Sequence, residues 1–124
     1  MKRYIDGYVL PVQKNKLKDY KKMAKMGAKI WMKHGALEYV ETVGDDFKTF
    51  MSMLSFSKGV RAKKGETVVF SYVVYKSKAH RNSVNKKVMN DPIMNDPTNK
   101  NIPMPFDVKR VMYSGFSTIV MVKK

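Results

Sequence analysis

The chain has 124 residues, no cysteine and a formal net charge of +15, from 25 Lys and Arg against 10 Asp and Glu. That length fits one domain, residues 1–124, burying roughly two-thirds of the surface its unfolded chain exposes, so no metal or disulfide staple is required. The missing cysteine excludes thiol nucleophiles, thiolate zinc sites and disulfides, and it fits a cytoplasmic protein.

Lys2 and Arg3 are followed by Asp6 and Gly7 before any long apolar run, so no secretory signal is read. No stretch approaches the roughly 20 apolar residues that span a bilayer, and a soluble protein with no membrane partner is expected. The basic charge is spread along the chain, mostly as Lys, rather than gathered in a tail. It reads as a solvated surface, which disfavours a nucleic-acid partner. The eleven Met residues suggest adaptable core filling and mark no cofactor box.

Tyr4 to Val12 predicts a strand, with Pro11 near its end where a missing N–H is tolerated. Lys16 to Lys33 predicts a helix: Leu17, Tyr20, Met23, Ala24, Gly27, Ile30, Trp31 and His34 recur at three and four, opposite a stripe of Lys18, Lys22, Lys25, Lys29 and Lys33. Asn15 is the expected N-cap and Gly35 the stop. Ala36 to Val43 reads as a second strand, ended by Gly44, Asp45 and Asp46. Phe47 to Lys64 reads as a short helix or an irregular packed loop.

Glu66 to Tyr75 is the clearest strand. Ser77 then caps a helix through about Met89, with His80, Val84 and Val88 on one face. Asp91-Pro92 ends it, because Pro disfavours helical geometry in the residue before it. Asn95 to Pro105 reads as a polar loop, and Lys109 to Val122 as a last strand in which Gly115 marks a bulge or kink. The order is βαββαβ. That predicts an α+β, ferredoxin-like fold: a four-stranded antiparallel sheet with two helices on one face.

Two helices cover only one face of such a sheet, so the other should alternate to polar residues. It does not. In the third strand Val68, Phe70, Tyr72 and Val74 oppose Val69, Val73 and Tyr75. In the last, Val111, Tyr113, Ile119 and Met121 oppose Met112, Phe116, Val120 and Val122. A second apolar face predicts a homodimer packed sheet to sheet, unless the 47–64 segment folds over it.

A resemblance runs from Tyr4 to about Val120. It is carried by Tyr4-Ile5-Asp6-Gly7-Tyr8-Val9, by Trp31 with His34-Gly35-Ala36-Leu37-Glu38-Tyr39-Val40-Glu41, and by Gly44-Asp45-Asp46. It continues in Glu66-Thr67-Val68-Val69-Phe70-Ser71, Ser77-Lys78-Ala79-His80-Arg81, Val84-Asn85, Met89 and Asp91-Pro92. Pro105-Phe106-Asp107, Lys109-Arg110, Tyr113 and Gly115-Phe116 complete it. In these residues the chain resembles the YbaA-like family of bacterial proteins of unknown function. The resemblance implies a dimeric α+β barrel, in which two ferredoxin-like subunits pack their sheets together, and it carries no established activity. Two positions depart from the family pattern. Ile93 follows Asp91-Pro92 where the family reads Asp-Pro-Arg, and Ser114-Gly115-Phe116 stands where it reads Gly-Gly-Phe.

Polar groups inside apolar strands are the informative ones, because burial without a partner is costly. Asp6 lies mid-strand with Tyr4 and Tyr8 on its side. It reads either as a pocket carboxylate of raised pKa or, more simply, as an ion pair with Lys109 or Arg110 on a neighbouring strand. Glu38 and Glu41 face opposite ways and form no catalytic pair, and Asp45-Asp46 reads as a turn.

His34 ends the first helix, where the helix dipole favours a cation, and His80 lies near the start of the second. Each reads as a general base or, preferably, as a capping or packing group. Trp31 is core or a stacking platform. Asp107, Lys109 and Arg110 sit at a strand start after a loop, as an anion-binding mouth or a salt-bridge cluster. The pocket candidates are thus Asp6, Trp31, His34, Glu38 and His80, then Asp107, Lys109 and Arg110. Arg81 joins them through the resemblance. Two His without Cys make a poor zinc site, a single-His haem has no support, and no metal or cofactor is expected.

Three functions fit. One is binding or transformation of a small molecule in a pocket between helices and sheet. Another is RNA binding: the RNA recognition motif shares the βαββαβ order, and Phe70 and Tyr72 alternate as it requires, but Glu66-Thr67-Val68 replaces its basic, Gly-rich lead. The last is a non-catalytic interaction module. No reaction follows from these residues.

Overall fold

The computed structural model of the chain describes residues 1–100 and 103–124. Runs of β-branched and aromatic residues build three of the strands: β1 (Tyr4–Gln13), β2 (Glu38–Val43) and β3 (Glu66–Tyr75). The main helices are α1 (Leu17–Lys33) and α3 (Lys78–Met89); α2 (Phe56–Gly59) and α4 (Pro97–Lys100) are single turns. β4 spans Met112–Ser117. The sheet is antiparallel throughout, in the order β2-β3-β1-β4.

Local signals account for most boundaries. Ser77 accepts the His80 N–H at 3.1 Å and starts α3. Gly35 takes φ +111°, a left-handed conformation open to glycine, and turns the chain out of α1. Asn15 does not cap α1. A 3-10 turn over Lys14–Lys16 precedes the helix, and Lys16 holds the cap position with no side-chain bond.

Register separates the two faces. Asp6 lies opposite Val73 and Gly115, and Tyr8 opposite Ser71 and Tyr113. These side chains face the helices with Leu10, Val12, Val69 and Tyr75. Two buried clusters form there: Ile30, Val73, Tyr75, Val84 and Val88 in one, Leu10, Val12, Tyr20, Ala24 and Val69 in the other. Tyr8 packs against both. The opposite face carries Ile5, Val9, Phe70, Tyr72, Val74, Met112 and Phe116, and no helix longer than one turn covers it.

The last strand is shorter than its apolar run. Residues 109–110 lie in a 3-10 turn, Val108–Arg110, capped by Asp107, whose carboxylate accepts the Lys109 N–H at 3.0 Å. Ser117 pairs with Tyr4, the first residue of β1, so 119–122 have no neighbour to extend against. Thr118 closes the ladder, its N–H donating to the Arg3 carbonyl while its hydroxyl oxygen accepts the Arg3 N–H. The 47–64 segment is irregular with the one turn α2. It covers only the β3 end of the open face, where Phe56 meets Phe70 edge-on at 5.8 Å. In the loop expected over Asn95 to Pro105, the structure places α4; residues 101–102 lie outside the described residues.

Gly27 shows how tightly α1 sits on β2. A Cβ there would lie 2.9 Å from the Tyr39 hydroxyl oxygen, which is pinned by its bond to Glu41 at 2.8 Å. Alanine gains about 1 kcal/mol of helix propensity over glycine, whereas overpacking costs about 1–3 kcal/mol. We therefore expect Gly27→Ala to lower the unfolding midpoint, and to raise it once Tyr39→Phe has removed the obstructing oxygen. Equal effects in both backgrounds would show that the hydroxyl is not the obstacle.

Candidate functional site

The helix-facing side of the sheet is unusually rich in phenols. Six of the seven tyrosines, Tyr4, Tyr8, Tyr20, Tyr39, Tyr75 and Tyr113, point into it or pack against it. Two carboxylates sit among them. Glu41 accepts hydrogen bonds from Tyr20 at 2.7 Å and Tyr39 at 2.8 Å, which fastens α1 to β2. Burial, first of all, pushes both phenols up, and both remain hydrogen-bond donors at any ordinary pH.

Asp6 is fully buried on a central strand. Its Oδ1 accepts from the Tyr113 hydroxyl at 3.1 Å and lies 3.6 Å from Arg81 Nη1. Arg81 descends from α3. Its Nη1 donates to the Tyr113 hydroxyl oxygen at 2.8 Å and its Nη2 to that of Tyr4 at 3.2 Å, with its guanidinium carbon 5.0 Å above the Tyr4 ring. Gly115 makes this possible: a Cβ there would collide with the Tyr4 hydroxyl. Tyr113 stacks on Tyr8 with centroids 4.9 Å apart. Behind Asp6, Asn85 Oδ1 accepts from Trp31 Nε1 at 3.2 Å and from the Tyr75 hydroxyl at 3.3 Å.

Two atoms in this group are buried with no well-formed hydrogen bond among the described residues, Asp6 Oδ2 and Arg81 Nε, although Asn85 and Tyr75 lie close enough to Asp6 to oppose the rise of its pKa. One accepts and the other donates, so together they suit a molecule offering one group of each kind. Burial raises the Asp6 pKa above the usual carboxylate range, although Arg81 and Tyr113 oppose it. The network reaches solvent through Tyr113, which is 46% exposed on the edge strand β4.

Of the sequence candidates, Asp6, Arg81 and Trp31 meet in this network. Asp6 does not pair with Lys109 or Arg110. Its partner comes from a helix 75 positions on, and Arg110 instead grips Glu66 through two bonds, 2.7 and 3.0 Å. That contact holds the Glu66 carboxyl below its usual range. Asp107 caps a turn and Lys109 is exposed, so of this run Arg110 alone forms an ion pair among the described residues.

His34 sits elsewhere, at the end of α1. Its Nε2 lies 2.6 Å from Asp91 Oδ2, Lys33 Nζ lies 3.1 Å from the same oxygen, and the Ile93 N–H donates to Oδ1 at 2.8 Å. The His34 bond leads in lowering the Asp91 pKa to about 2. His80 Nδ1 accepts the Lys76 N–H at 2.9 Å, and burial lowers its pKa, so it serves as a neutral packing group. Glu38 is exposed on the open face, 3.5 Å from the Tyr72 hydroxyl. Tyr4, Tyr75, Asn85 and Tyr113 complete the network. Their signal is weak: tyrosines sharing Asp6's strand parity, and an Asn one helical turn beyond Arg81. Among the described residues, no three His, Asp or Glu converge as a metal site, and no helix is long and apolar enough to cross a membrane.

The two hollows that stand out among the described residues are not lined by Asp6 or Arg81. One, of about 710 Å³, runs along the open face between Ile5, Phe70, Tyr72, Met112 and Phe116. The other, of about 380 Å³, lies under the loop after β2.

A four-stranded antiparallel sheet with helices against it, and an acid–phenol–guanidinium network between them, defines a small α+β protein with a polar network inside an apolar core. Within that class, the chain belongs to the YbaA-like family: residues 3–108 match the family described as "Protein of unknown function (DUF1428)". It is 37% identical over 118 residues to "Uncharacterized protein YbaA" of Escherichia coli strain K12, covering 95% of this chain and 97% of that one. The same figures hold for the proteins of that name from Escherichia coli O157:H7 and Shigella flexneri. Among solved structures, a "De novo designed protein Foldit4" superposes over 98% of this chain and 100% of its own, at 11% identity and a TM-score of 0.41, a likeness too slight to carry fold or function.

Asp6 and Asp91 set opposite acid responses. The Asp91 pKa, about 2, lies below its unfolded value of about 3.9. Its stabilising contribution is present above about pH 4 and is lost as the pH falls toward 2. The Asp6 pKa is raised, so its contribution is present below about pH 4 and is lost as the pH rises through the folded value. Urea midpoints measured from pH 2 to 7 should show Asp91→Asn flattening the acid limb and Asp6→Asn flattening the opposing slope. Parallel profiles for wild type and Asp6→Asn would contradict the raised pKa.

Proposed function

We propose that the protein binds a small molecule at the Asp6–Arg81–Tyr113 network and acts as a homodimer with the ferredoxin-like, dimeric α+β barrel architecture. The observation that carries the binding reading is the pair of buried atoms with no well-formed hydrogen bond, Asp6 Oδ2 and Arg81 Nε, on side chains of opposite charge. Leaving both unmade costs on the order of 1–3 kcal/mol each, more for charged groups. A ligand bearing one donor and one acceptor removes that cost. The strand order and the uncovered apolar face support the paired-sheet architecture.

The competing reading is RNA binding through Phe70 and Tyr72 on the open face. Single-stranded nucleic acid needs a positively charged groove beside its stacking rings. Among the described residues, no Lys or Arg lines the trough around those two rings, and Glu38 does.

A thermal-shift screen of metabolites should find compounds that raise the wild-type midpoint and leave Asp6→Asn unmoved. A screen in which every active compound shifts both proteins alike would remove the site. Separately, sedimentation at micromolar concentration should give a dimer; a stable single copy would remove the paired-sheet architecture.

A further inference from the structure

Three exposed apolar stretches lie on the side of the molecule away from the two long helices. The open sheet face is one. The loop after β2 is another: Phe50 is 68% exposed, Met51 81% and Leu54 70%. Residues 119–122, beyond the end of β4, are the third, with Ile119 98% exposed. These stretches are continuous. Phe56 and Phe70 line both the trough on the sheet and the hollow under the loop, while Val120 and Met121 line the trough.

The loop is also held in an unfavourable backbone. Met51 and Ser52 have φ of 55° and 60°, left-handed values that side chains other than glycine rarely take. One backbone bond spans the turn, from the Met53 N–H to the Phe50 carbonyl at 3.1 Å. Strained positions of this kind persist where surrounding contacts over-determine them, and a loop this exposed has few of its own.

We propose that residues 47–54 and 119–122 are two arms that close on a second copy of this chain. The proposal rests on the paired-sheet reading and adds that the interface extends past the sheet at both edges. Charge identifies the occupant. Two copies each carrying a net +15 repel, so self-association needs a patch without bases. Among the described residues, the trough has no Lys or Arg in its lining, and the hollow has Lys48 alone, balanced by Asp46. RNA or an anionic membrane would seat on the opposite kind of surface. The extent fits as well. The exposed side chains of the two arms and of the sheet between them, Phe50, Met51, Leu54, Phe70, Met112, Phe116 and Ile119, form a surface long enough for a second copy to cover.

The test uses the most exposed arm positions, where a lone subunit loses almost no contact. Met51→Asp and Ile119→Asp should each raise the dimer dissociation constant, measured by sedimentation velocity, at least tenfold, and the double variant about a hundredfold. Far-UV circular dichroism should stay unchanged and Met51→Leu should behave as wild type. Met112→Asp, on the sheet face, serves as the comparison. If Met112→Asp dissociates the dimer while both arm variants stay within twofold of wild type, the arms are overturned and the paired sheets stand. If the arm variants dissociate and Met112→Asp does not, the paired-sheet reading falls, and with it the arms as extensions of that interface. A wild-type protein that remains a single copy at micromolar concentration overturns both.

Discussion

A carboxylate buried on a central strand constrains most of this structure. Asp6 itself is out of contact with water, and a buried unpaired charge costs far more than any single packing contact gains. Its surroundings answer that cost piece by piece. Tyr113 comes from one neighbouring strand, Arg81 from α3, and Gly115 leaves room for the Tyr4 hydroxyl that steadies the guanidinium. Strand register, helix placement and one glycine are thereby tied to a single side chain. Losing Arg81 alone would strand a charge, which is why such pairs are costly to break one partner at a time.

The same polar logic recurs at the other end of the helix layer. Glu41 gathers two phenols, and Asp91 gathers His34, Lys33 and a backbone N–H. Each carboxylate joins segments distant in sequence. The apolar clusters between them are modest in size, made largely of valines. Oil sets the layers of this fold, and the three acids set how the layers align. The sheet's other face carries a single exposed acid, Glu38, among the described residues of its trough and is otherwise mostly apolar.

Much of this was legible in the sequence, and the limits have identifiable causes. β1 and β3 follow from their runs of β-branched and aromatic residues, and α1 from its apolar stripe. Asp6 stands out because an acid interrupts a run of Tyr, Ile and Val. Its partner was not legible, because spacing along a strand says nothing of a helix side chain reaching over from α3. Gly115 reads as a kink; its use is contact with Tyr4, a tertiary fact. The end of β4 was overrun because apolar character continues through Val122, whereas pairing stops where β1 begins. Asn15 has the right chemistry for a cap, but a 3-10 turn occupies the place where it would act.

Trp31 is the chain's one tryptophan, and its indole N–H is bonded to the amide that also receives Tyr75, immediately behind Asp6. Emission from this protein therefore originates at a single, known address inside the helix–sheet seam. Its wavelength and quenching report the polarity of that seam without any added dye. Occupancy of the interior can be followed optically in the unlabelled molecule, and changes confined to the opposite face leave that signal silent.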